Sequence, residues 1–129
     1  MPEAVVAELR AKHAGDAAQI EQAIALAHVV PLAQPPEPLL LAELDRGEAS
    51  VIQTAREHGV RGVLLDERRA RRVGSTIYSL TVKGTCAVLV EAKRRLLIPK
   101  VRPALEAMIA GGYFIGPQLS AECLRRAGE

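Results

Sequence analysis

The sequence contains very few aromatic residues and only two cysteines. Its 129 residues include two tyrosines, one phenylalanine and no tryptophan, although 49% of them are hydrophobic. The core must therefore be built from aliphatic side chains, a composition that suits helices packed on a sheet rich in Val, Ile and Leu. Cys86 and Cys123 lie far apart and lack both CxxC spacing and Cys/His spacing. We expect two buried thiols of a reducing compartment, not a disulfide or a zinc site.

Long apolar runs and a strong net charge are absent as well. No hydrophobic run approaches the roughly 18 residues of a membrane span, and charges interrupt the opening MPEAVVAELR too early for a signal peptide. We therefore expect a cytoplasmic protein without a membrane partner. The formal net charge of +2 does not by itself indicate a nucleic-acid partner, because such partners are recognised through clustered charge. The length predicts one domain spanning residues 1–129.

Hydrophobic periodicity predicts an α/β fold in which helices dominate. Helices are predicted at residues 2–12, 17–27, 39–44, 47–58, 67–73, 84–97, 100–110 and 117–127. Apolar runs predict strands at residues 28–32, 61–66 and 75–82. The alternation of helices and strands in the middle of the chain implies parallel strands joined by crossover helices.

Glu48 lies on the apolar stripe of the predicted helix 47–58, together with Val51, Ile52 and Ala55. An acid on such a stripe needs an explanation, because burying a carboxylate costs free energy. One explanation is a capping box, in which Asp45 is the N-cap and Glu48 follows three residues later. The helix dipole favours the same arrangement. On spacing alone, the capping interpretation is the stronger one.

Asp66 ends the predicted strand 61–66, where it could bind a metal or cap the following helix. A helix runs antiparallel to the strand that follows it, so the start of helix 47–58 and the end of this strand lie at one sheet edge. We therefore expect Glu48 and Asp66 to point into one crevice, where they repel each other unless a cation or a proton intervenes. Carboxylate oxygens suit Mg²⁺ or Mn²⁺.

Basic and small polar residues flank these acids in sequence. Four arginines follow Asp66 and could hold a phosphate backbone, or could form an ordinary solvated face: Arg68, Arg69, Arg71 and Arg72. Gly84–Thr85 opens a helix and could bind an anion, although it is equally an ordinary N-cap. The three histidines, at positions 13, 28 and 58, share no spacing and are expected to be structural or surface residues.

Several segments together resemble the PIN-like family. They read LDRGE, VLLDERRARR, KGTCAVLVEAKRRLLIPKVRPALEAMIAGGYFIG and LRRAGE. The likeness is strong over residues 44–129 and looser over residues 2–10. Within this family, the sequence resembles most narrowly a branch of small prokaryotic proteins that are related to VapC toxins and are often called predicted nucleic-acid-binding proteins. The resemblance implies a three-layer α/β/α sandwich, RNA cleavage dependent on Mg²⁺ or Mn²⁺, an antitoxin partner and a homodimer or higher homo-oligomer.

The resemblance also implies residue roles. Glu8, Glu48 and Asp66 fall on the family's metal-binding, catalytic acids, and Thr85 falls on its catalytic hydroxyl position. The arginines from 68 to 72 would hold RNA. The family begins with a strand that carries an Asp, and this sequence begins after that point, so we expect an N-terminally truncated fold that lacks one metal ligand. Such a chain could be an impaired ribonuclease, an inactive binding or interaction module, or a structural α/β protein whose acids are helix caps.

Overall fold

The computed structural model describes residues 1–12 and 16–129, so His13 lies outside the described residues. The chain divides into two compact units, Met1–Val82 and Lys83–Glu129. Among the described residues, no helix is both long and apolar enough to cross a membrane. Each unit has its own buried aliphatic cluster.

The first unit is mostly helical and contains most of a small sheet. Its elements in chain order are α1 Glu3–Lys12, α2 Ala17–Leu26, α3 Pro38–Glu43, α4 Arg46–Glu57, β1 Gly62–Leu64, α5 Arg68–Arg72, a π-helical turn Val73–Ile77, and β2 Thr81–Lys83. The predicted helices of this unit are confirmed to within one or two residues at each end. The core gathers around α4, which buries Ala49, Ile52 and Ala55 against β1 and α5 residues such as Val63 and Ala70.

Helix α4 has a defined start and a defined end. The side chain of Asp45 accepts a hydrogen bond of 2.8 Å from the backbone N–H of Glu48, as an N-cap does. At the other end Gly59 adopts a positive φ of 63°. The N–H of Gly59 then donates to Arg56 O and that of Val60 donates to Ala55 O, which is a Schellman ending. These local signals position the acidic first turn of α4.

The sheet is smaller than predicted. Strands β1 and β2 pair in parallel, and the N–H of Thr81 donates to Arg61 O at 2.7 Å. The prediction of a strand over residues 28–32 is wrong, because only Val30 forms an isolated parallel bridge, with Pro2. Pro31 follows at once and has no N–H to continue a ladder. The structure therefore contains a small parallel sheet among helices.

The strand predicted over residues 75–82 is also wrong in its first half. Residues 73–77 form a π-helical turn that continues α5, and the strand begins only at Thr81. The Ser75 hydroxyl donates to Arg71 O at 2.8 Å, which supports the helical path. Val73 and Gly74 are buried in the core, with Gly74 directly against Val82. Tertiary packing thus overrides the β propensity of the residues.

The second unit consists of three helices, α6 Thr85–Arg94, α7 Arg102–Ala110 and α8 Pro117–Ala127. The helices predicted here are confirmed, although α6 ends three residues early. Val101, Leu105 and Cys123 are buried together. Both cysteines are free thiols, as predicted, but Cys86 is only half-buried. Burial, together with the nearby Cys86, raises the pKa of Cys123 to about 12.

Candidate acidic site

Three carboxylates converge where α4 begins and the chain leaves β1. Oxygen atoms of Asp45, Glu48 and Glu67 all lie within 4.8 Å of one another. Asp45 is the N-cap of α4, Glu48 lies in its first turn, and Glu67 is the residue before α5. The expected meeting of a helix start and a strand end is therefore observed. Asp45 and Glu67 are exposed, whereas Glu48 is half-buried between them.

Glu48 has the most perturbed environment of the three. Burial is the largest effect and, with repulsion from Asp45, Glu67 and Glu8, raises the pKa of Glu48 to about 7. A hydrogen bond from the Asp45 backbone N–H to the Glu48 carboxylate opposes this rise in pKa. That bond and the one from Glu48 N–H to Asp45 form the predicted capping box. Asp45 and Glu48 therefore cap the start of α4 and also belong to the acidic cluster.

Glu8 reaches the same region from α1. Its carboxylate lies directly against the backbone of Gly47, where an added β-carbon would be only 2.5 Å from Glu8 Oε1. Its charge also contributes to the raised pKa of Glu48. A cavity of about 710 Å³ opens beside Glu8 and is bordered by Arg46 and Ser50. Glu8 and Glu48 therefore lie in the same region of the first unit.

Asp66 and Thr85, which the sequence analysis also selected, are not among the three converging acids. Asp66 is exposed and is not one of the three acids that converge, although it immediately precedes Glu67. Thr85 is half-buried and begins α6 in the second unit. The sequence analysis identified Asp45 only as a cap and did not select Glu67. The signal for Glu67 was present, because two acids in a row follow the apolar run VLL.

The predicted basic residues lie on α5. All four arginines are exposed, and Arg69 forms an ion pair of 2.6 Å with Glu43. Arg69 and Arg72 border a cavity of about 500 Å³ that includes Thr76 and Ile77 of the π-helical turn. Exposed ion pairs such as Arg69–Glu43 contribute little to stability, so the guanidinium remains available for exchange with another anion.

The donor chemistry of the acidic cluster fits a hard divalent cation. Carboxylate oxygens are the ligands that Mg²⁺ and Mn²⁺ prefer. Burial first, and then the charges of Asp45, Glu67 and Glu8, raise the pKa of Glu48, and a bound cation would relieve the repulsion between these charges. The residues present are therefore compatible with a divalent metal.

A small parallel sheet among helices, with carboxylates clustered where a strand ends, defines an α/β protein with a candidate metal site. A family model described as a PIN domain matches residues 1–129, so the chain belongs to the PIN-domain family. This confirms the resemblance seen in the sequence. No curated protein and no solved structure matched the chain.

Proposed function

We propose that this protein is a metal-dependent ribonuclease of the PIN/VapC toxin type, which hydrolyses RNA phosphodiester bonds with Mg²⁺ or Mn²⁺. The observation that carries the proposal is the convergence of the carboxylates of Asp45, Glu48 and Glu67. Among them Glu48 is half-buried, and its pKa is raised to about 7. Membership of the PIN-domain family supports it.

In this proposal Glu48 is the central metal ligand, and Asp45 and Glu67 complete the cluster. Glu8 supplies a further carboxylate from α1, and Asp66 and Thr85 are kept as candidate catalytic residues from the family resemblance. A divalent cation at such a site activates water and stabilises phosphoryl oxygens. The exposed arginines of α5, Arg68, Arg69, Arg71 and Arg72, would hold the RNA backbone through charge.

Several wider proposals accompany this function. They are a three-layer α/β/α arrangement, a single domain over residues 1–129, a homodimer or higher homo-oligomer, an antitoxin protein as partner, and a cytoplasmic location. All of them come from the family resemblance or from the composition.

The direct test measures metal binding and RNA cleavage on the same protein. We expect Mn²⁺ to bind at a 1:1 ratio by calorimetry and to support cleavage of single-stranded RNA. Glu48→Gln should abolish both, and Asp66→Asn tests the sequence-predicted acid separately. Glu106→Gln, an exposed acid on α7, is the matched control and should behave like wild type. Unchanged cleavage after both site substitutions would overturn the proposal.

Gly47→Ala tests Glu8 without removing its charge. The new methyl group would displace the Glu8 carboxylate, which is the mobile end of a flexible side chain. Alanine also has a better helix propensity than glycine by about 1 kcal/mol, so folding should be preserved. We expect weaker Mn²⁺ binding with an unchanged or higher melting temperature. Wild-type metal affinity in this variant would exclude Glu8 from the site.

The second candidate function is a catalytically inactive PIN-like module that binds nucleic acid or protein. Two observations favour it: Asp45 is already engaged as a helix cap, and Asp66 lies outside the three converging acids. This alternative predicts salt-sensitive gel shifts with single-stranded RNA, but neither metal binding nor cleavage. Cleavage that is lost in Glu48→Gln would rule it out.

A further inference from the structure

The two cysteines lie on helices of the second unit that pack against each other. Cys86 is in the first turn of α6, and Cys123 lies near the middle of α8. The Cys123 thiol donates to Cys86 O with a distance of 3.8 Å, and the Cys86 thiol donates to Leu119 O, also on α8, with a distance of 4.0 Å. The two thiols are therefore adjacent across the contact between α6 and α8.

The side chains of the two cysteines also interact with each other. After burial, a hydrogen bond with the Cys86 side chain is the second cause that raises the pKa of Cys123 to about 12. Two cysteines whose side chains point apart cannot be bridged without movement of the backbone. The hydrogen bond shows that these two side chains point towards each other. Their placement therefore favours a bond between the two sulfur atoms.

The two thiols differ in their access to solvent and in the charge that their surroundings favour. Cys86 is half-buried and lies at the positive end of the α6 dipole, which favours an anion such as a thiolate. The thiolate is the form of cysteine that attacks an oxidant. Cys123 is fully buried beside Val101 and Leu105. An oxidant from solvent therefore reaches Cys86 first, and Cys123 is placed to react with the oxidised Cys86.

We propose that Cys86 and Cys123 are a redox-active pair, in which a hydroperoxide oxidises Cys86 and Cys123 then closes a reversible disulfide between α6 and α8. The Cys86 sulfur attacks one peroxide oxygen and the O–O bond breaks. That oxygen stays on Cys86 as a sulfenic acid, while the other leaves with the thiol proton as water or an alcohol. The Cys123 sulfur then forms the S–S bond, and the oxygen leaves Cys86 as hydroxide, which takes the Cys123 proton and becomes water. The two thiols thereby supply the two electrons that reduce the peroxide.

The disulfide would change the second unit by tying two of its three helices together. It would close a loop that contains residues 87–122, and a cross-link over a long loop stabilises a fold by restricting the unfolded chain. In a reducing compartment such a disulfide is transient, so the free thiols of the structure are the reduced state of the pair. This inference does not depend on the acidic site or on nuclease activity.

The test treats the reduced full chain with a small excess of hydrogen peroxide. We expect mass spectrometry to show the loss of two hydrogen atoms per chain and a cross-link between the peptides that contain Cys86 and Cys123. A dithiol reductant should restore both thiols. The oxidised protein should have a higher melting temperature than the reduced protein and slower hydrogen exchange in residues 83–129.

Two variants separate the roles of the cysteines. Cys123→Ala should leave Cys86 as a sulfenic acid, which dimedone traps. Cys86→Ala should lower the rate at which peroxide consumes the remaining thiol by about tenfold or more, because Cys123 is buried and protonated. Circular dichroism establishes that each variant is folded. The cross-link itself is measured on the unaltered chain, so that result stands even if a variant fails to fold.

Three results would overturn the proposal. One is a disulfide between two chains in place of the cross-link within one chain. The second is a sulfinic acid on Cys86 with the Cys123 thiol unchanged. The third is a cross-link that forms only after the protein has been unfolded in urea, because the pair would then not be reactive in the native structure.

Discussion

At the scale of single residues, Glu48 combines two roles that the sequence presented as alternatives. Its carboxylate accepts a bond from the Asp45 N–H, which stabilises the start of α4. It is also half-buried beside two other acids, which disfavours its charged form. An uncharged glutamine could form the same capping box without the cost of a half-buried charge. A charged carboxylate at this position is therefore consistent with a cation-binding role.

Glu48 makes the stability of the metal-free protein dependent on pH. Its pKa in the folded protein, about 7, lies above the ordinary value of 4.5, so this group stabilises the fold at low pH and loses that contribution as pH rises to about 7. Glu48→Gln removes the effect. With EDTA present, the melting temperature of the variant relative to wild type should rise between about pH 5 and about pH 8. A difference that does not change with pH would contradict this.

Glu129 is a second residue whose carboxylate stabilises the fold through several hydrogen bonds. Its Oε1 accepts from the Val101 N–H at 2.7 Å and from Lys93 Nζ at 2.9 Å, and its Oε2 accepts from the Arg102 N–H at 3.0 Å. These bonds lower the pKa of Glu129 to about 2. The carboxylate thus caps the start of α7 and ties it to α6 within the second unit.

We expect Glu129→Gln to lower the melting temperature at neutral pH. Because the pKa of Glu129 is lowered, its stabilisation is present above its ordinary value of 4.5 and is lost as pH falls to about 2. The difference between variant and wild type should therefore shrink over that range. Hydrogen exchange at Val101 and Arg102 should be faster in the variant at pH 7. Glu106→Gln serves as the control, and equal effects of the two substitutions would refute this role.

At the scale of elements, the first turn of α4 both ends the preceding loop and positions the acids. The capping box uses the side chains of Asp45 and Glu48, and the chain direction after β1 brings Glu67 to the same place. The same side chains therefore cap α4 and form the acidic cluster. A test of metal binding must use substitutions that change the charge of these residues without removing the cap.

Two substitutions of Asp45 make that separation. Asp45→Ala removes the cap and should destabilise the protein by about 1 kcal/mol. Asp45→Asn keeps a comparable cap but removes a charge, so stability should be near wild type while Mn²⁺ binding weakens. Chemical denaturation and calorimetry measure the two properties. If Asp45→Asn binds Mn²⁺ as wild type does, Asp45 is only a cap.

The sequence predicted the bounds of the helices more accurately than those of the strands. Helices such as α4 and α8 depend on contacts four residues apart and on local caps, so their bounds could be read from periodicity. The outcome for the strand predicted over residues 75–82 depended on Gly74, which lies against Val82 and Leu65 and also against Ile52 of α4, which is far from it in sequence. Such non-local packing is not encoded in a window of a few residues.

At the scale of the whole molecule, each compact unit has a core of its own. In the first unit Ile52 is fully buried, and in the second Leu105 is 2% exposed beside Val101 and Cys123. These residues are aliphatic or small, as the near absence of aromatic residues predicted. Division into two such clusters could not be predicted from composition.

Truncating a core residue should weaken the unit that contains it. Leu105→Ala should cost about 2–5 kcal/mol, and it should speed amide exchange in residues 83–129. Ile52→Ala should do the same in residues 1–82. Exchange measured by mass spectrometry on peptides from each unit distinguishes the two variants. The expectation fails if Leu105→Ala leaves exchange in residues 83–129 unchanged.

The sequence by itself determined the helices, the aliphatic core, the capping box and the placement of acids near one sheet edge, because each depends on short-range patterns and on chain direction. Only the tertiary structure decided which acids meet. Glu67, whose backbone is extended, meets Asp45 and Glu48, whereas the adjacent Asp66 is not one of the three converging acids. The π-helical turn was likewise decided by packing, because Gly74 lies against Val82, Leu65 and Ile52.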